Sequence, residues 1–299
     1  MHHVLLATDG SKASLQAARL LAHLPHPDRL DLTVLSVVQR PFIHSSYSTA
    51  ELLEKAYRRD KQFAVDTYQT IFAMFDGANA SLRHELCDGP VGEKIVETAA
   101  KTNADLVILG AKGHSQIGRL LLGSVSDHVA THAPCSTLVV RATGLQESNR
   151  PIRVCLAYEN SESATAALEE ISEIPWRTGT EFHLLTVETY LSDFIGQRIA
   201  DEELNLTARY ETDLMQAKER LSDVAPGAQP HLVKADHIGE GIVSFAESNG
   251  IDLLIIGETP RSAVNRFLLG STSRYVLRHA PCSVWVTRNR VTGQTTDAT

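Results

Sequence analysis

The chain has 299 residues, 43% of them hydrophobic and 21% charged, which is globular composition and enough length for two cores of roughly 150 residues each. A formal net charge of −8 excludes a broad electrostatic grip on a nucleic-acid backbone. No stretch approaches the ~18 uninterrupted apolar residues of a membrane span, and the run Val4–Ala7 is too short for a signal segment before it meets Asp9. A cytoplasmic protein with no nucleic-acid and no membrane partner is expected.

In chain order, short Val/Leu/Ile-rich runs alternate with helical patterns. The strands predicted in the first half are His3–Ala7, Leu32–Val38, Ser81–Cys87, Asp105–Gly110 and Thr137–Arg141. Most are near-continuous apolar runs, as strands buried on both faces are. Helices are predicted over Ser11–His23, Ala50–Phe75, Val91–Lys101 and Ser124–His132. Ala17, Leu20, Leu21 and Leu24 mark the buried stripe of the first helix, and Phe63, Tyr68, Ile71 and Phe75 suggest one for the second. Such alternation gives an α/β fold, a parallel sheet with right-handed crossovers and helices on both faces.

The second half repeats the first. Val4–Ser11 aligns with Val154–Ser161, and Leu32–Val37 with Phe182–Val187, at an offset of 150. Farther on the offset is 147: Gly92–Val96 answers Gly239–Val243, Asp105–Gly110 answers Asp252–Gly257, Leu121–Ser124 answers Leu268–Ser271, and His132–Ser136 answers His279–Ser283. Two tandem domains are therefore expected over residues 1–142 and 151–290, joined by a polar linker at 143–150 and followed by a flexible tail at 291–299. Trp176 and Trp285 read as packing residues particular to the second copy.

Chemistry concentrates after the fourth strand. Gly110-Ala111-Lys112-Gly113, nine residues, and then Gly123-Ser124 lead into a helix whose first residues are Ser124, Val125 and Ser126. A helix start presents unpaired N–H groups and partial positive charge, which suit a phosphate. Gly110 permits close approach of a backbone or ligand, Gly113 permits positive φ, and Lys112 and Arg119 lie in the loop. Asp9 ends the first strand, where a carboxylate can accept from a ribose or hold a metal on the phosphates.

The plainer readings stand beside these. Glycines at strand ends are commonly structural, and Asp9 alone could cap the helix that begins near Ser11. Cys135 and Cys282 read as small core residues, and His132 and His279 as partners for the last helical carbonyls. The four cysteines form no CxxC pair and the thirteen histidines no HExxH pattern. Gly239-Glu240-Gly241 follows a third strand and answers Gly92-Glu93-Lys94, so it is set aside as a dinucleotide loop. GxxxxGK[ST] and GxSxG motifs are absent, and no carboxylate–base pair can be placed around a scissile bond, which leaves at most a slow ATPase.

The G-x₂-G-x₉-G-[S/T] spacing, the opening strand ending in Asp-Gly-Ser and the closing His-Ala-Pro-Cys-Ser resemble the universal stress protein family, twice over. The resemblance implies two five-stranded parallel sheets of order 3-2-1-4-5, the adenine nucleotide alpha hydrolase-like fold, with ligands at the switch point between strands one and four. It implies a regulator that binds ATP, or AMP or ADP, through Ala7, Asp9 and Val37 on the adenosine side. The phosphate side would be Gly110, Gly113, Gly123, Ser124, Val125 and Ser126, with Mg held through Asp9 on the nucleotide. At Val37 this chain reads Ser-Val where the family has His-Val. It also implies pairing through the last strands, Thr137–Arg141 and Ser283–Arg288, across an internal pseudo-twofold or in a homodimer, leaving a nucleotide-free adaptor as the alternative function.

The second copy departs from the motif. Pro260 replaces Gly113, Glu159 replaces Asp9, Tyr158 replaces Thr8, and Gly257-Glu258-Thr259-Pro260 lacks the lysine. Proline fixes φ and has no N–H to donate. Weak or no ATP binding is expected there.

Overall fold

The structure is a computed structural model that describes residues 2–25, 29–39, 47–113, 122–145, 150–176, 180–190, 200–258 and 269–288. In the first half β1 (His3–Thr8), β2 (Leu30–Val38), β3 (Ala80–Asp88), β4 (Leu106–Gly110) and β5 (Ser136–Val140) alternate with α1 (Lys12–His23), α2 (Tyr47–Met74), α3 (Val91–Lys101) and α4 (Ser124–His132). The second half repeats this with β6 (Ile152–Ala157), α5 (Glu162–Ser172), β7 (Thr180–Thr189), α6 (Ala200–Arg220), β8 (Gln229–Ala235), α7 (Ile238–Ser248), β9 (Leu253–Gly257), α8 (Ser271–His279) and β10 (Ser283–Thr287). Among the described residues no helix is long and apolar enough to cross a membrane.

Each half has the strand order 3-2-1-4-5, and the two join into one ten-stranded sheet, β3-β2-β1-β4-β5-β10-β9-β6-β7-β8. The joint is the only antiparallel pair of that sheet among the described residues: Leu138 lies opposite Trp285, its own counterpart 147 residues later, so the pseudo-twofold passes through that pair. This settles the last-strand expectation in favour of the internal arrangement. β5 is hydrogen-bonded to β4 and β10, and β10 to β5 and β9, so neither keeps a free edge for strand pairing with a second chain. The pairing expected of those strands occurs within one chain.

Apolar residues from both faces of this sheet form two cores. One lies under α1, α2, α5 and α6 and runs unbroken across both halves, from Leu21 and Ile71 to Trp176 and Leu221. The other lies under α3, α4, α7 and α8, around Ile95, Val129, Ile242 and Val276. Ala17, Leu20, Leu21 and Leu24 are buried as their spacing predicts. The stripe on α2 differs: Tyr57, Ala64, Ile71 and Phe75 are buried, whereas Phe63 is 48% exposed, its ring filling the place a Cβ on Gly10 would take. Tyr57, Ala64, Ile71 and Phe75 keep intervals of seven and four, which place one side of a helix against the sheet, and Phe63 falls off that line.

The Asp105 and Asp252 repeats lie just before β4 and β9 rather than within them. Asp105 accepts from the backbone N–H groups of His2 (2.6 Å) and His3 (2.8 Å), pinning the start of β1. Asp252 does the same for Arg153 (3.0 Å) and adds both ends of the Arg150 guanidinium, at 2.6 and 2.8 Å. Between the aligned blocks the spacing drifts. Ser36 faces Leu86 while Thr186 faces Leu232, a step of 150 residues on the second strand but 146 on the third.

Candidate functional site

The strand order puts β1 beside β4, with α1 packing on one face of the sheet and α4 on the other, so a crevice opens at their carboxyl ends. The turn after β1 is held locally. Gly10 adopts φ 73°, its N–H donates to Thr8 Oγ1 (3.2 Å), and Asp9 Oδ1 accepts from the Ser11 N–H (3.0 Å). Ser11, not Asp9, caps α1, accepting from the Ser14 N–H at 3.3 Å. The carboxylate of Asp9 thus stands exposed at the mouth of the crevice.

The three glycines beyond β4 have three different reasons. A Cβ on Gly110 would lie 2.8 Å from the carbonyl carbon of Ala13, so this glycine lets α1 sit against the strand. Gly123 donates its N–H to the Ala111 carbonyl (2.8 Å) and begins α4 without a side-chain cap. Gly113 does not take positive φ; a Cβ there would lie 2.5 Å from Asp9 Oδ2, so the residue is small for space rather than for backbone conformation. That corrects the conformational reason given from sequence and ties Gly113 to Asp9 directly.

At the start of α4, Ser126 is buried and its hydroxyl donates to the carbonyls of Gly110 (2.8 Å) and Ala111 (3.3 Å). Its side chain ties the start of α4 to the end of β4. The first-turn N–H groups have no capping side chain, and their partial positive charge is directed outward.

These elements enclose a cavity of about 210 Å³. Ala7, Asp9, Val37, Gly110, Gly113, Gly123, Ser124, Val125 and Ser126 line it. The structure therefore brings all nine residues singled out in the sequence to one space, with Lys112 beside them. Arg119 lies outside the described residues. Missed in the sequence are the apolar walls, Leu35, Val91, Ile95 and Leu109. Two signals pointed to them: Leu35 shares a face with Val37 two residues on, and Val91 and Ile95 are one turn apart at the start of α3. Asp9 and Lys112 are the charged side chains of this lining among the described residues.

The second half has a cavity in the same place, of about 190 Å³. Gly257 again admits a helix, here α5, since a Cβ there would lie 2.6 Å from the Ser163 carbonyl oxygen, and Ser273 again donates to the strand end (3.2 Å). Glu159 and Tyr158 line it where Asp9 and Thr8 line the first. Glu258 lies just beyond β9, its carboxylate engaged by the Arg288 guanidinium. Thr259 and Pro260 lie outside the described residues.

Elsewhere the plain readings hold. His132 and His279 bond the carbonyls of His128 and Tyr275, each at 2.8 Å. Cys135 and Cys282 are buried, and burial pushes the Cys282 thiol up to about 12. Among the described residues no group of three or more His, Cys, Asp or Glu converges on a metal-sized site.

The family model for the universal stress protein family matches residues 1–141 and again 152–288. A universal stress protein from Methanocaldococcus jannaschii is 29% identical over 140 residues, covering 46% of this chain and 81% of that protein. A putative universal stress protein from Staphylococcus haemolyticus is 27% identical over 151 residues, covering 50% and 90%. Among solved structures, a universal stress protein from Archaeoglobus fulgidus superposes with a TM-score of 0.65 at 22% identity, over 95% of this chain and 97% of that one. These relatives and the two matches agree with the duplicated sheet: the chain belongs to the universal stress protein family, as a tandem member with two copies in one polypeptide.

Proposed function

We propose that the first crevice binds an adenine nucleotide, ATP foremost with AMP and ADP as its shorter forms, and that the protein works as a stress-response regulator. The observation that carries this reading is the contact between Asp9 and Gly113. With Asp9 Oδ2 in the place a Cβ on Gly113 would take, the carboxylate, the loop and the uncapped start of α4 surround one space. The apolar slot formed by Ala7, Leu35, Val37 and Ile95 suits a flat heterocycle, Asp9 suits the ribose hydroxyls, and Lys112 with the α4 N–H groups suits phosphate. Magnesium bound to the nucleotide would keep mostly water and phosphate oxygens, with Asp9 as its protein contact. Nucleotide-dependent association follows if the occupied loop presents a different surface to a protein partner.

Calorimetric titration with ATP tests the reading. One saturable site is expected, abolished by Gly123→Asp, which sets a carboxylate at the start of α4, and spared by Gly270→Asp at the start of α8. No saturation at millimolar ATP refutes nucleotide binding, and loss in the Gly270 variant alone reverses the assignment of halves. The adaptor reading draws on the continuous ten-stranded sheet, which fuses the two halves without a ligand; failure to bind ATP would favour it.

A further inference from the structure

The second half has exchanged many side chains around its crevice without closing it. Leu109 is answered by Ile256, Val91 by Ile238 and Leu35 by Leu185, while Ala157 and Val187 repeat Ala7 and Val37. Empty apolar space lowers stability in proportion to its volume, and larger side chains at these positions would fill it. Instead the cavity keeps about 190 Å³ against about 210 Å³, room for the same heterocycle.

What has changed is the distribution of polarity. The first lining carries one acid and one base, Asp9 and Lys112; among the described residues the second carries one acid, Glu159, and no base. Glu159 is exposed at the mouth and has no side-chain partner among the described residues. Two half-buried hydroxyls, Thr189 at the end of β7 and Tyr210 on α6, join the lining. The buried stripe Leu214, Ala217 and Leu221 follows Ala64, Thr67 and Ile71 at 150 residues, so Tyr210 answers Asp60, which does not line the first cavity. The described lining, with one net negative charge, disfavours polyphosphate, whereas a carboxylate and two hydroxyls accept from and donate to an uncharged polyol.

We propose that the second crevice is a separate site for an uncharged ribonucleoside: a flat heterocycle in the slot of Ala157, Leu185, Val187 and Ile242, and a vicinal diol on Glu159. The positions of heterocycle and sugar are carried over from the nucleotide reading of the first crevice. The two halves then sense different states of one ligand class, phosphorylated in the first and unphosphorylated in the second.

Calorimetric titration of the full chain with adenosine, guanosine, cytidine and uridine, and with ATP, tests this. At least one nucleoside is expected to saturate a site that Glu159→Ala weakens about tenfold or more, that Tyr210→Phe weakens about threefold, and that binds the 2′-deoxy form about tenfold more weakly. Lys112→Glu, in the other crevice, leaves that site unchanged within about twofold, and ATP binds it at least about a hundredfold more weakly. If none of the four saturates at millimolar concentration, or binding is indifferent to Glu159→Ala, the proposal falls. ATP binding as tightly as the nucleoside at the Glu159-sensitive site overturns it as well. Should ATP fail on the unaltered protein while Glu159-sensitive nucleoside binding persists, only the reading of the first crevice is lost.

Discussion

The two halves share a backbone and differ in what lines it, and the difference sorts the motif residues by cause. Gly110 and Gly257 are both glycine because α1 and α5 press against them, with or without a ligand. Ser126 and Ser273 both tie a helix start to a strand end, and Gly123 and Gly270 both begin an uncapped helix. Gly113, Asp9 and Lys112 are present in the first half alone. Of these, Gly113 is small only because Asp9 lies against it. Duplication has preserved what the fold requires and released what a phosphate would require.

The same asymmetry runs through the seam between the halves, where each half caps the other's last helix. Arg288 donates to the carbonyls of Ala130 (2.6 Å), Thr131 (3.2 Å) and Ala133 at the end of α4, and also pairs with Glu258. Arg141 donates to Leu277 (3.0 Å) and Arg278 (3.5 Å) at the end of α8. The residue that answers Glu258 in the first half is Ala111, the Nη1 of Arg141 is buried without a hydrogen-bond partner among the described residues, and burial holds its ionisation below the usual arginine range. Removing Arg288 strands a carboxylate whose side chain is 11% exposed. Arg288→Ala is therefore the largest effect expected, a loss of about 3–5 kcal/mol in urea unfolding. Arg141→Ala leaves no stranded charge and removes an unsatisfied donor, so about 1 kcal/mol is expected. Adding Glu258→Gln should recover part of the Arg288→Ala loss; equal losses in the two arginine variants would break the comparison.

The second asymmetry is a half-buried acid. Glu170 on α5 accepts from Ser136 Oγ on β5 (2.7 Å) and from Trp285 Nε1 on β10 (3.2 Å), across the seam. Its counterpart 150 residues earlier is the buried Leu20. Burial pushes the Glu170 carboxyl up to about 7, against the lowering effect of those two hydrogen bonds. Because the folded value lies above the unfolded one, this group's contribution is fully present below the unfolded carboxyl range and is lost as pH rises to about 7. The span corresponds to roughly 3 kcal/mol at most. Unfolding followed from pH 4.5 to 7.5 should show that fall, and Glu170→Gln should flatten it. An unchanged slope in the variant would place the titration elsewhere.

Much of this was legible in the sequence. Buried parallel strands are written as unbroken apolar runs, which is why all five strands of the first half lie within two residues of their predicted ends. The cradle was legible because its spacing is set by backbone geometry. Less legible were features fixed by tertiary neighbours. Phe63 has a helical interval from Tyr68 close enough to suggest one stripe, but only the packed helix shows that it turns to Gly10. Leu35 and Ile95 read as ordinary core, since alternation tells which face a residue takes and not which end of the strand stays open. The 146-residue step at β3 and β8 was invisible because that stretch has little identity between the halves, and pairing partners rather than residue types reveal it.

The smallest effect separates fold from recognition within a single motif. Gly110 and Gly113 are three residues apart and both exclude a Cβ, yet the atoms in the way differ. At Gly110 they belong to the backbone of α1 at Ala13, which cannot move without shifting the helix. Gly110→Ala is expected to destabilise the protein by about 1–3 kcal/mol, the range for overpacking a closed site. At Gly113 the obstacle is Asp9 Oδ2, the end of an exposed carboxylate that can rotate away. Gly113→Ala should leave stability within about 0.5 kcal/mol. It should nonetheless weaken ATP binding about tenfold, because the displaced carboxylate no longer meets the sugar. Thermal unfolding and calorimetry on the same two variants decide it. If Gly113→Ala lowers stability as much as Gly110→Ala, the second glycine is a fold residue after all, and its loss in the second half no longer speaks for a change of ligand.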